Sequence, residues 1–263
     1  MSIRKVHATR YVKPLREGGS LPAIVEADDD GLYVVKFRGA GQGPKALIAE
    51  LVAGEIARAL GLPVPEIVFI EIDPTLGPSE PDAEICHLLA ASTGLNLGLD
   101  YLPGALPWNQ LAGATLDPAL ASAVVLFDAF ATNVDRTPRN PNLLLWHRKL
   151  WLIDHGAAFY IHHGWAATTD LRAEAEDRFP YIKDHVLLPF AGALREAGAK
   201  QSALLTKERI EEIVAMIPDA WLEGAPPFSS ADEHRAAYAA YLTHRLAQPK
   251  SFVEEALNAQ TRL

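Results

Sequence analysis

Apolar and polar positions alternate with a period of two near the start of the chain and take up a helical period further on. Arg10–Val12, Ala23–Glu26 and Leu32–Phe37 read as strands. The last two are joined by Asp28-Asp29-Asp30-Gly31, whose Asp-Gly pair is a hairpin signal. Alternation puts Tyr33, Val35 and Phe37 on one face of the third strand and Leu32, Val34 and Lys36 on the other. A helix is expected over about Pro44–Leu60, with proline in its first turn and Gly61 just past its end. On a helical wheel Glu55 falls among Leu47, Ile48, Leu51 and Val52, while Glu50 sits at the polar edge. Glu66–Ile72 reads as a strand, Ala83–Ala91 as a short helix and Gly94–Leu102 as another strand.

From Asp117 the pattern turns helical. Asp117 caps, Pro118 starts, and the run to Thr132 is almost entirely apolar, which predicts a buried helix. Asp128 inside it needs a partner and reads as structural, bonded to the loop that follows. Leu143–Trp146 and Leu150–Ile153, joined by the polar turn His147–Lys149, read as a hairpin. Later helices are expected over Asp184–Ala197 (broken at Pro189), Lys207–Ile217 with Thr206 as cap, and Ala231–Leu246.

Composition narrows the function. At 263 residues the chain can hold one large domain or two lobes sharing a cleft. Lys and Arg total 24 against 33 Asp and Glu, a net charge of −9, which argues against nucleic-acid binding as the main task. A single cysteine, Cys86, excludes an internal disulfide and a cysteine-based zinc site. The start MSIRKVHATRYVK has no apolar signal region, and no stretch approaches the roughly 20 apolar residues of a membrane helix. A cytoplasmic protein without membrane association is expected.

The chemistry concentrates between the buried helix and the hairpin. Asn133, Asp135, Arg136, Asn140 and Asn142 crowd a loop that Pro138 and Pro141 keep from being helical. Asn140 follows Asp135 by five positions, and Asp154-His155-Gly156 ends the hairpin fourteen beyond Asn140. Phosphoryl transfer needs a carboxylate beside the attacking hydroxyl and oxygen ligands that hold Mg²⁺ against nucleotide phosphates. The spacing is similar to that of protein kinases, although Asn-Val-Asp and Asp-His-Gly replace the usual spelling. Lys36, inside an apolar strand, is then the candidate to grip the phosphates, with Glu50 or Glu55 as its helix partner. The glycine turn Gly18-Gly19-Ser20 is a candidate phosphate cradle, and a hinge meeting adenine is placed at Leu99–Leu102, with Leu99 and Tyr101 as contacts. The loop Gly39–Lys45 lacks the spacing of a dinucleotide or Walker turn. His162 and His163 should point apart, so no metal cluster is expected of them.

GLYVVKFRGAGQGPKALIAELVAGEIARALGLPVPEIVFIEI, NVDRTPRNPNLLL and IDHGAAF together resemble HipA-like kinase domains, in order over roughly residues 5–245. The short variety without the N-terminal HipA subdomain is the most similar. The resemblance implies an α+β, two-lobed atypical protein-kinase-like fold: a β-rich N-terminal lobe (1–102) and a mainly helical C-terminal lobe (103–263). In that family a glutamate stands eleven residues before the glycine of Gly-Leu-Pro-Val-Pro, which selects Glu50. Carried over position by position, Lys36 binds phosphates, Glu50 pairs with it and Asp135 is the base. Asn140 and Asp154 are the Mg²⁺ ligands, while Asn133, Arg136 and Asn142 support the loop. ATP and Mg²⁺ are the implied cofactors, and the implied partner is a phospho-acceptor protein or small alcohol. An antitoxin partner is not implied, because the autophosphorylated serine of the best-known members has no match here. A nucleotide- or partner-binding module without phosphoryl transfer is the alternative, disfavoured by the intact Lys36, Asp135, Asn140 and Asp154.

Overall fold

The structure, a computed structural model, describes residues 2–15, 21–41, 43–76, 82–111, 116–166 and 168–263. Five strands form a closed barrel: β1 (Arg4–Pro14), β2 (Ala23–Ala27), β3 (Leu32–Lys36), β4 (Ile67–Ile72) and β5 (Gly94–Asp100), in the order β1-β2-β3-β5-β4. Neighbours are antiparallel except where β4 closes the barrel beside β1 in parallel. β1 is far longer than the predicted Arg10–Val12, because its first half pairs with β4 and its second half with β2. Val25, Tyr33, Val35, Val68 and Ile70 fill the interior with Ile85 and Leu89 of α2 (Ala83–Ala91).

Helix α1 (Pro44–Ala59) lies between this barrel and the rest of the molecule, and every residue from Leu47 to Ala57 is buried. Glycine inside a helix ordinarily costs about 1 kcal/mol relative to alanine, yet at Gly54 a side chain would force the buried Ile67 to shift. A Cβ on it would lie 2.5 Å from Ile67 Cδ1. Because α1 has no solvent face, the wheel that set Glu55 inside and Glu50 at a polar edge had no polar edge to find. Glu50 is fully buried, and Glu55 pairs with Arg58 at 3.2 Å.

The helical part starts with α3 (Pro118–Ala131), capped by Asp117 and ended at Thr132 in the left-handed region (φ 49°). Its buried final carbonyls have no helical partners. Arg245 supplies them, donating to Ala129 O (2.7 Å) and Phe130 O (2.8 Å). A second sheet joins β6 (Leu106–Pro107) to the expected hairpin of β7 (Leu143–Trp146) and β8 (Lys149–Leu152). Leu152 N–H donates to Pro63 O at 2.8 Å, which ties the hairpin to the chain entering β4.

The expected helix over Asp184–Ala197 is not one helix. Pro180–Asp184 and Leu188–Phe190 are 3₁₀ turns, each with a proline in its first two positions. Between them Val186 N–H goes to Arg136 O and Leu187 N–H to His185 Nδ1, so the backbone donors serve the neighbouring loop rather than a helix. The remaining helices are α4 (Leu171–Ala175), α5 (Leu194–Leu204), α6 (Lys207–Val214), α7 (Asp219–Leu222), α8 (Ala231–Ala247) and α9 (Pro249–Gln260). The sequence pattern had not marked α4, α7 and α9. Helices α6 and α7 pack on α1. Trp221 of α7 meets Phe69 of β4 edge-on at 5.6 Å and donates Nε1 to Leu95 O at 3.0 Å. Among the described residues no helix is long and apolar enough to cross a membrane.

Candidate active site

The loop after α3 is built on Asp128. This carboxylate is fully buried and accepts from Asn133 Nδ2 (2.9 Å), Arg136 Nε (2.6 Å) and His185 Nε2 (2.9 Å). His185 is the neutral Nε2–H tautomer, because its Nδ1 accepts Leu187 N–H at 3.0 Å. Burial opposes the charge on Asp128, and Arg136 with His185 outweighs it, holding the carboxyl well below its ordinary range. Asn133 Oδ1 accepts Asp135 N–H at 3.1 Å in an Asx turn. Arg136 also donates to Asn142 O and, at 3.4 Å, to Ile153 O. One buried guanidinium therefore ties the loop to both strands of the hairpin.

Asp135 is thereby presented half-buried. Its Oδ2 accepts Asn140 Nδ2 (2.7 Å) and Asn142 Nδ2 (3.2 Å), while its Oδ1 has no hydrogen-bond partner among the described residues. Burial raises its pKa and the nearby Asp154 charge adds to the rise, against the bonds from the two asparagines. Asp154 follows β8 with φ 55°, a left-handed conformation uncommon outside glycine but more accessible to Asp and Asn than to other side chains. That turn swings its carboxylate toward β3, where Lys36 Nζ bonds Asp154 Oδ1 and, at 2.5 Å, Glu50 Oε2 of α1. Burial depresses the Lys36 ammonium, but Glu50 and Asp154 more than compensate and hold it above its ordinary value. His155 donates its backbone N–H to Glu50 Oε2 at 2.7 Å, with its Nδ1 3.1 Å from Glu50 Oε1.

The oxygens suit a hard cation. Mg²⁺ takes one or two protein carboxylates or carbonyls and completes its shell with water and phosphate oxygens. Asp154 is 44% exposed at its side chain and leaves Oδ2 uncommitted, and Asn140 uses only its Nδ2, leaving Oδ1. Among the described residues no group of three or more His, Cys, Asp or Glu side chains is arranged to hold an ion unaided. A cation here would depend on phosphate oxygens to complete its shell.

Lys36, Glu50, Asp135, Asn140, Asn142 and Asp154 thus share one site, with Asn133 and Arg136 beneath it. Gly18, Gly19 and Ser20 lie outside the described residues. Leu99 lies on an inner strand with neighbours on both sides, and Tyr101 N–H is donated to Leu32 O. His162 and His163 do not point apart as expected. Both fall in a 3₁₀ turn (Tyr160–Gly164) with ring centroids 4.4 Å apart and Nε2 atoms at 3.2 Å. Lys45 Nζ on His162 O (2.7 Å) and Tyr238 OH on His162 Nδ1 (2.8 Å) hold this arrangement. The pattern of the sequence could not foresee His155 as a Glu50 partner, since the ring enters the core only once α1 and the hairpin are assembled.

A barrel carrying a lysine paired to a helix glutamate, beside an Asp/Asn loop and a metal-type Asp-x-Gly turn, defines a kinase-type molecule. A family model described as HipA-like kinase matches residues 9–252, and the chain belongs to that family. No curated protein matches the sequence. Among solved structures, the Helicobacter pylori proinflammatory kinase CtkA is similar over 100% of this chain and 98% of its own, with TM-score 0.54 and 13% identity. A Golgi casein kinase, solved with Mn and ADP bound, is similar over 97% of this chain and 73% of its own, with TM-score 0.48 and 13% identity. The end-to-end likeness to CtkA shows the fold, a two-lobed atypical protein-kinase-like α+β architecture.

Proposed function

We propose that this kinase transfers the γ-phosphoryl group of ATP to a serine or threonine hydroxyl of a protein, or to a small alcohol. The observation that carries the reading is the state of Asp135. Two amides fix one oxygen, and the other is left open near Asp154 and Asn140, the proposed cation ligands. In the proposed step the acceptor hydroxyl gives its proton to Asp135 as its oxygen bonds to the γ-phosphorus. The bond from phosphorus to the β,γ-bridging oxygen breaks, and ADP departs. Lys36 turns from Asp154 to the α- and β-phosphates while Glu50 keeps its ammonium in place. Asp154 Oδ2 and Asn140 Oδ1 are the proposed Mg²⁺ ligands. When bound, the cation neutralises charge on the phosphates.

The test is transfer of labelled γ-phosphate by the purified chain with Mg²⁺, alone and with cell-extract proteins, beside Asp154→Ala. Transfer by the parent chain and its loss in the variant are expected. Mg²⁺-dependent nucleotide binding without transfer by the parent would instead make the chain a binding module.

A further inference from the structure

His155 is fully buried, and both of its donors face one carboxylate. Glu50 Oε2 is shared by Lys36 Nζ (2.5 Å) and His155 N–H (2.7 Å), whereas Oε1 has His155 Nδ1 at 3.1 Å. An ionised carboxylate only accepts, so the ring proton sits on Nδ1. The ring is held edge-on by Phe127 at 5.7 Å, and Nε2 has no partner. Without the ring donor, Oε1 would be a buried anionic oxygen with nothing to accept from, a costly state. The carboxylate would relieve it by rotating, and rotation withdraws Oε2 from Lys36.

We infer that His155 is a positioning residue for phosphoryl transfer: its ring fixes the rotamer of Glu50 and so the place of the Lys36 ammonium. This rests on the proposed kinase reading. The requirement is greatest when Lys36 leaves Asp154 for the phosphates, since of the two carboxylates Glu50 alone then holds the ammonium. The Asp-His-Gly spelling has a physical basis in this contact. The residue after the metal-type aspartate is stapled to α1 by backbone and side chain together, so α1 and the Asp154 turn are located by one carboxylate.

The test compares His155→Phe, which keeps a ring against Phe127 but has no donor, with His155→Asn, whose Nδ2–H replaces Nδ1–H. Melting curves and the kcat and KM for ATP turnover are measured on the purified full chain. Loss of about 10²-fold in kcat for Phe, the scale of a small misplacement, is expected with KM little changed, and Asn should restore most of it. A Phe variant as fast as the parent, or both variants equally slow at the parent's melting temperature, would overturn the inference. If Phe does not fold, ¹⁵N spectra of the parent's histidines decide. A buried ring with its proton on Nδ1 is expected, and a bare Nδ1 would refute the arrangement. That arm also separates the two claims, since a parent that turns over no ATP fails as a kinase while its His155 ring is still read directly.

Discussion

Asp128 carries the loop without touching the proposed chemistry. Its carboxylate is buried among Arg136, Asn133 and His185, so removing it leaves a buried guanidinium without its anion. Breaking such a pair costs about 3–5 kcal/mol, and Asp128→Ala should lower stability by that order in urea unfolding. The same site sets an acid limit. The folded-state pKa of Asp128 is depressed, so its contribution is present above the unfolded value, about 3.9, and is lost as pH falls through the folded one. His185 is depressed too, chiefly by burial, so stability starts to fall once pH drops below its unfolded value of about 6.5. Unfolding free energy measured from about pH 7 to about pH 1 should decline in these two stages, and Asp128→Asn should flatten the lower one. At this scale the sequence was legible where spacing carries chemistry: Asp135, Asn140 and Asp154 do meet. It was not legible at Glu50, whose side chain is distinguished from Glu55 by what packs on a fully buried helix. The family resemblance, rather than periodicity, selected it. His155 was hidden for the same reason, since its partner lies 105 residues away.

Helix α1 sets the Lys36–Glu50 distance, and its packing allows a test with an unusual sign. Glycine to alanine inside a helix normally stabilises by up to about 1 kcal/mol. At Gly54 the new methyl would sit 2.5 Å from Ile67 Cδ1, so overpacking of about 1–3 kcal/mol should dominate. Gly54→Ala is expected to lower the melting temperature and, by lifting α1 off β4, to raise KM for ATP. A melting temperature above the parent's would show that α1 has room to shift. Elements with a strong local signal, such as α2 with its Asp82 cap and the β7–β8 hairpin, fall within a residue of the sequence reading. The failure came at residues 184–197, where prolines and the demands of the Arg136 loop override helical propensity. Such a conflict is settled by tertiary partners that no local window contains.

Across the whole molecule one apolar core joins α1 and β5 residues such as Leu47, Ile48, Leu97 and Leu99 to Phe127, Phe130, Trp221 and Tyr238 of the helical part. Trp221 is the clearest link between them, through Phe69 and Leu95 O. Trp221→Ala should cost about 3–5 kcal/mol and separate the unfolding of barrel and helices, which the parent should show as one transition by near- and far-ultraviolet circular dichroism alike. Two non-coincident transitions in the parent would contradict a shared core. The order of a β-rich part before a helical part was legible from periodicity, while the α+β two-lobed class came with the family resemblance. Barrel closure by a parallel β1–β4 pair was not, because that contact depends on two strands far apart in sequence. The return of α6 and α7 onto α1 was equally hidden.

The central claim is that Asp135 accepts the proton in phosphoryl transfer, and Asp135→Asn tests it most directly. The amide can still accept from Asn140 and Asn142, so the loop should keep its shape while the base is lost. The measurement is γ-phosphate transfer in parallel with Mg²⁺–ATP affinity. Affinity close to the parent's is expected, with transfer lower by about 10²–10⁴-fold, the usual worth of a general base. Transfer at the parent's rate would contradict the claim.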